Sequence, residues 1–161
     1  MKKNNFASTF IALAGVNLES KKGNFPQIKK PLKPTVASGP IFFDAHFESG
    51  NLLYAFRSNS EIGIDSYDLV LQNDVNTRGH NQWFYFRVGN SHKNQKVRFN
   101  IVNLTKKESL FSYGLKPLVY SEKGSRQGLG WHRNGIKVFY EENGLRRQHC
   151  NQPYYTLSFE Y

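Results

Sequence analysis

The chain has 161 residues, enough for one domain with a hydrophobic core and too few for that domain plus a second of full size. Its 13 Phe and 9 Tyr against one Met favour pleated, half-buried surfaces over helices, and a single cysteine, Cys150, excludes an intrachain disulfide framework and points to a reducing compartment. The net charge of +10 is uneven: residues 1–40 hold seven lysines against Glu19 alone, so they contribute +6 and residues 41–161 only +4, which leaves acidic peptide, nucleic acid and anionic membrane open as partners.

The chain opens with Met1-Lys2-Lys3, an apolar stretch from Phe6 to Leu18 and the small triplet Ala12-Leu13-Ala14, an imitation of a secretory signal. Ser8 and Thr9 interrupt the apolar run and the lone cysteine argues against export, so residues 6–18 read as a locally helical or disordered terminus, with secretion the minor alternative. The stretch is shorter than the ~20 residues of a membrane-spanning helix. Prolines at 26, 31, 34 and 40 forbid a continuous helix in the Lys-rich segment that follows, and residues 1–40 are expected to form a tail and flexible connector.

From residue 41 short runs of β-formers alternate with turn residues, the spacing of a sandwich or barrel. The predicted strands are 41–48, 51–57, 67–72, 82–88, 96–104, 116–121, 135–141 and 153–161, with tight turns at Ser49-Gly50-Asn51 and at Gly89-Asn90 with Asn94. The expected fold of residues 41–161 is all-β, a largely antiparallel sandwich of about eight strands. In the fourth run, Phe84, Phe86 and Val88 fall on one face and Trp83, Tyr85 and Arg87 on the other, as in a central strand covered on both sides, with a ligand surface lined by Trp83 and Tyr85 as the alternative. Asn100 and Asn103, polar within an apolar run, are expected to hydrogen-bond neighbouring loop backbone.

None of the five histidines has a glutamate three residues on, and none pairs with another at i, i+4, so the usual zinc-peptidase spacing is not found. His46 and Glu48 share a face of the first strand but lie about 7 Å apart along it, with no third ligand in view. His149 and Cys150 point to opposite faces if the run is extended, poor geometry for a thiolate–imidazole pair. There is no nucleophile elbow, phosphate loop or dinucleotide fingerprint. The expectation is a chain without a catalytic site, metal ligands or cofactor of its own. Lys123, Arg126, Arg133, Arg146 and Arg147 lie in sequence near Trp131 and form a candidate contact set for an acidic peptide or partner; single-stranded nucleic acid is the less favoured ligand, and an ordinary solvated basic face is the plain alternative.

Seven short motifs carry a family resemblance: Phe47-Glu48-Ser49-Gly50-Asn51-Leu52; Tyr67-Asp68-Leu69; Gln82-Trp83-Phe84-Tyr85-Phe86; Arg98-Phe99-Asn100-Ile101 with Asn103; Lys116-Pro117-Leu118 with Tyr120-Ser121; Gly130-Trp131 with Arg133 and Gly135; and Tyr155-Thr156-Leu157-Ser158-Phe159. In this order they resemble the N-terminal domain of the cytosolic carboxypeptidases, zinc metallocarboxypeptidases that remove glutamates from tubulin tails. The resemblance implies a non-catalytic β-sandwich that sits before a metallopeptidase domain carrying its own His, Glu and His zinc ligands, so it brings no catalytic residue to this chain. It also implies a cytoplasmic protein, associated with microtubules or cilia, whose partners are that catalytic domain, in cis or in trans, and the acidic tails of tubulin. Tyr154, Tyr155, Phe159 and Tyr161 of the C-terminal strand, together with Trp131 or Tyr113, are the expected ring-rich docking surface; otherwise these rings close the domain's own core. The alternative is a stand-alone basic binding module for acidic peptide, nucleic acid or carbohydrate.

Overall fold

The computed structural model describes residues 9–13, 41–58, 61–73, 77, 79 and 81–161. Among the described residues ten strands run in chain order: β1 Thr9–Leu13, β2 Phe42–Asp44, β3 Leu52–Arg57, β4 Ile64–Leu71, β5 Phe84–Gly89, β6 Lys96–Leu104, β7 Leu118–Ser121, β8 His132–Arg133, β9 Ile136–Arg146 and β10 Pro153–Glu160. They form two five-stranded sheets, one ordered β2-β5-β1-β7-β8 and the other β3-β4-β6-β10-β9. Every pairing is antiparallel except β4 with β6. The predicted all-β sandwich is therefore the observed fold, with ten strands among the described residues where about eight were expected.

The core lies between the sheets. Phe84, Phe86 and Val88 face it from β5, and Tyr67, Leu69, Val97, Phe99, Ile101, Leu157 and Phe159 face it from the other layer. The alternation that buries these residues is the period-two pleat itself. Rings meet across the gap, Phe84 with Phe159 at 6.4 Å and Phe86 with Phe99 at 6.1 Å, separations at which aromatic pairs attract beyond their burial.

Two expectations about elements are corrected. The run 41–48 is a strand only over Phe42–Asp44; Phe47 to Gly50 then makes a tight turn, closed by Gly50 N donating to Phe47 O at 3.0 Å, and the chain crosses to the other sheet. Gly50 is required there, because a Cβ would stand 2.3 Å from the backbone oxygen of Ala45. Thr9–Leu13, read as helical or disordered, is a strand between β5 and β7, in register from Thr9 opposite Val88 to Leu13 opposite Phe84. Its pairing partners lie more than seventy residues away, so no local pattern announces them. The Lys/Pro-rich connector, Lys21 to Pro40, lies outside the described residues.

Two buried asparagines replace missing ladder bonds. Asn103 accepts from Leu71 N at 2.9 Å and donates to Leu71 O at 3.0 Å, so it holds the end of β4 rather than a loop. Asn51 does the same between the layers, accepting from Tyr85 N at 2.8 Å and donating to Trp83 O at 2.9 Å. Asn100 departs from expectation and bonds side chains instead, Asp68 at 2.8 Å and Ser158 at 2.8 Å. Changing Asn103 to Leu strands one buried donor and one buried acceptor of Leu71, each worth about 1–3 kcal/mol. The variant is expected to lower the urea midpoint at unchanged m-value; wild-type stability would show that water replaces the amide.

Candidate interaction surfaces

The basic and aromatic residues singled out by sequence separate into two groups. Trp131 lies just before β8 at the edge of its sheet, about half exposed at 48%, with its ring 5.5 Å from Tyr120 and 5.9 Å from Tyr85; Tyr85 in turn meets Phe47 at 4.9 Å. The outward face of β5 therefore carries an aromatic cluster open to solvent on one side, not a second sealed core. Lys123 and Arg126 are exposed on the preceding one-turn helix, Glu122–Ser125, whose start is capped by Ser121 Oγ accepting from Gly124 N. Arg133, exposed on β8, donates to Lys116 O at 2.6 Å. These four residues share one edge region, the β7–β8 connection and β8.

Arg146 and Arg147 belong elsewhere, at the far end of β9 in the other sheet. Arg146 is exposed and pairs with Glu142 at 3.1 Å. Arg147 is buried at 8% exposure and its guanidinium bonds Gln152 across the β9–β10 turn, so the structure makes it a hairpin clamp and removes it from any contact surface.

The ring-rich patch is also redistributed. Phe159 (1% exposed) and Tyr155 (7%) are core residues, Tyr155 stacking on Tyr140 at 5.7 Å, and this burial overturns their placement on a docking surface. Tyr154 is half-buried, and burial pushes its phenol above the ordinary value. Tyr113 is exposed on a short 3₁₀ turn, Leu110–Tyr113, and Tyr161 is exposed beside the end of β10.

Sequence reasoning missed the outer face of the β3-β4-β6-β10-β9 sheet, an open groove of about 540 Å³. Arg98 Nη2 reaches Glu160 Oε1 at 2.6 Å, Arg98 also makes two bonds to Glu61 at 2.6 and 3.0 Å, and Lys137 Nζ reaches the same Glu160 oxygen at 3.1 Å. Lys137 gets there through a bulge: Phe139 opposes Ser158 and Ile136 opposes Glu160, one residue more on β9 than on β10, and Lys137 takes φ 48° within it. Burial pushes the Glu160 carboxyl up, but the bonds and charges of Arg98 and Lys137 outweigh it and leave it below the usual carboxylate range. Glu61 is lowered by its hydrogen bonds to Arg98, and Arg98 is held charged by both carboxylates. The network is self-neutralised, which makes it a brace and not a reactive centre. Its one sequence signal was parity, since Arg98 and Asn100 share a face of β6, and Ser158 and Glu160 share a face of β10.

Zinc is the metal implied by the resemblance, and the described residues do not fit it, because no three of His, Cys, Asp or Glu among them converge. His46 is exposed, with Nδ1 3.0 Å from Asp44 Oδ1, and that carboxylate is already bound to Arg87. Cys150 is an exposed free thiol. No helix of the described residues is long and apolar enough to cross a membrane.

Among its described residues the chain is a two-layer β domain with an exposed aromatic and basic edge and no converging group of three metal ligands. Residues 43–159 match the family model of the cytosolic carboxypeptidase N-terminal domain. The chain is 42% identical to cytosolic carboxypeptidase 2 of Mus musculus over 120 residues, 74% of this chain and 13% of that protein. It is 39% identical to cytosolic carboxypeptidase 2 of Homo sapiens over 145 residues, 87% of this chain and 15% of that protein, and 38% identical to cytosolic carboxypeptidase 3 of Mus musculus over 124 residues, 76% and 12%. The chain belongs to the cytosolic carboxypeptidase N-terminal domain family. It spans less than a sixth of the length of these relatives.

Proposed function

We propose that this chain is the non-catalytic structural and interaction domain of a metallocarboxypeptidase that removes glutamates from polyglutamylated tubulin. It packs on the zinc-bearing catalytic domain and helps shape the approach of the acidic tail, in the cytoplasm at microtubules or cilia. The observation that carries the reading is the family match across 43–159, nearly the whole sandwich from β2 to β10, in relatives of which it makes up only 13–15%. The edge bearing Trp131, Lys123, Arg126 and Arg133 supports a role in substrate access, because exposed guanidinium and ammonium groups beside a ring suit a glutamate-rich chain.

The test is a chimera in which the full chain, residues 1–161, replaces the matching N-terminal region of cytosolic carboxypeptidase 2 of Homo sapiens. It is expected to melt in one cooperative transition and to release glutamate from a glutamate-chain peptide, while the 161-residue chain alone releases none. Two separate transitions would refute packing on the catalytic domain, and zinc-dependent release by the chain alone would refute the non-catalytic role. Titration of the chain with the same peptide is expected to show salt-sensitive binding that the Lys123→Ala/Arg126→Ala double variant weakens several-fold; wild-type binding by that variant would remove the edge from substrate access.

A further inference from the structure

The longest strand among the described residues stands at an open edge. β9, Ile136–Arg146, ends its sheet, with β10 on one side and no described strand on the other, while the end strands of the other sheet, Phe42–Asp44 and His132–Arg133, are short. An edge of this length offers backbone donors and acceptors to another extended chain unless something blunts it. The blunting here is confined to the two ends. Beyond Glu142, Leu145 N donates to Asn143 Oδ1 at 2.9 Å, and Arg146 Nη1 donates to Asn143 O at 3.0 Å and to Leu145 O at 3.3 Å. The other end is bent by the bulge near Lys137. Between them Phe139, Tyr140, Glu141 and Glu142 run in unbroken register with Ser158, Leu157, Thr156 and Tyr155. Apolar groups gather at the same edge: Ile136 and Phe139 are exposed on β9, and exposed Leu110 and Tyr113 stand on the 3₁₀ turn packed against it.

We propose that this edge pairs with β9 of a second copy of the chain, antiparallel about a two-fold axis at Phe139. Lys137, Phe139 and Glu141 all line the outer groove and so share one face of β9. Residues directly opposite each other in a continued sheet share a face too, so two identical antiparallel strands are centred on a single residue. Centred on Phe139, the pairing sets Lys137 of each copy opposite Glu141 of the other and brings the two Phe139 rings side by side. Opposite charges and paired rings in these positions both stabilise a sheet. Centred on Glu141, the pairing would set like charges together, and centred on Tyr140 it would set each Glu141 against a Phe139 ring. The charges therefore select the first register. They also select a second copy over an unrelated strand, because the same three residues supply both halves of the match.

Sedimentation equilibrium of the 161-residue chain is expected to show a monomer–dimer equilibrium. Glu141→Lys, at an exposed position, sets lysines against each other twice and is expected to weaken the dimer about ten-fold while the melting of the chain stays unchanged. Cross-linking reads the register. In a Cys150→Ser background, which removes the exposed native thiol, Phe139→Cys is expected to form an intermolecular disulfide when treated with diamide. Opposed Cα atoms of antiparallel strands lie about 4.5–5.5 Å apart, within disulfide reach. Glu141→Cys is expected to cross-link poorly, since its two copies are displaced along the strands by roughly 13 Å. A chain that stays monomeric at every concentration overturns the second copy as the occupant of this edge. A dimer that Glu141→Lys leaves intact, or that cross-links through Glu141→Cys and not through Phe139→Cys, overturns the pairing. Should Glu141→Lys lower the melting temperature, the cross-linking comparison decides.

Discussion

Replacing Phe159 by alanine is expected to destabilise the domain by about 3–5 kcal/mol, whereas the same change at Trp131 is expected to cost about 1 kcal/mol. Phe159 is 1% exposed and its ring sits between Phe84 at 6.4 Å and Phe99 at 5.5 Å, one from each layer. Its removal leaves a cavity where the two sheets meet, and close-packed neighbours relax into such a gap only in part. Trp131 loses two ring contacts on a surface that is already half in water. Urea denaturation of the two variants gives the comparison directly. Near-equal losses would mean that Trp131 closes a part of the core, and a small loss at Phe159 would contradict the face-to-face arrangement of the sheets.

The strands were legible where one face is buried and the period-two pattern is clean. β4, β5, β6 and β10 each show the alternation in sequence and each puts its apolar set inside. β1 was not legible, because Thr9–Leu13 becomes a strand through partners on β5 and β7 that only the assembled sheet provides. The extent of β9 was underestimated for a related reason: bulges near Lys137 and between Glu142 and Arg146 break its periodicity while the pairing with β10 continues past them.

The surfaces were harder to read than the fold. Phe159 shares a face with Leu157 and Tyr155, so parity alone could have placed all three in the core; counting spare aromatic rings toward a docking patch overrode that signal. Arg146 and Arg147 look equivalent in sequence, yet Arg147 alone faces Gln152 in the hairpin, a relation fixed by the turn and not by composition. Glu160 shows the same limit. Its position opposite both Arg98 and Ile136 comes from pairing across three strands, and the charge that Lys137 adds comes from the bulge.

Glu160 also carries the other large effect, which depends on pH. Changing Arg98 to Met keeps most of the side-chain stem and leaves a carboxylate, 3% exposed, facing Lys137 alone at 3.1 Å. Because Lys137 stays at 3.1 Å and Arg98 is itself partly exposed, the loss at pH 7 is expected to be about 1.5–3 kcal/mol, below that of a wholly uncompensated buried charge. In the wild-type protein the Glu160 carboxyl lies below its ordinary value despite burial, because Arg98 and Lys137 bind the charged form. Its contribution to stability is therefore present above the unfolded-state value and is lost as pH falls through the folded one. Without Arg98 the burial that raises the carboxyl gains weight, and protonation relieves the variant. The deficit of Arg98→Met against wild type is thus expected to shrink as pH is lowered from 7 toward 4, and Arg98→Met/Glu160→Gln is expected to recover part of it at pH 7. Urea midpoints at four pH values measure both effects. A deficit that stays constant with pH and is not relieved by the second substitution would show that Arg98 acts through packing, or through Glu61 on the surface, and not through the buried carboxylate.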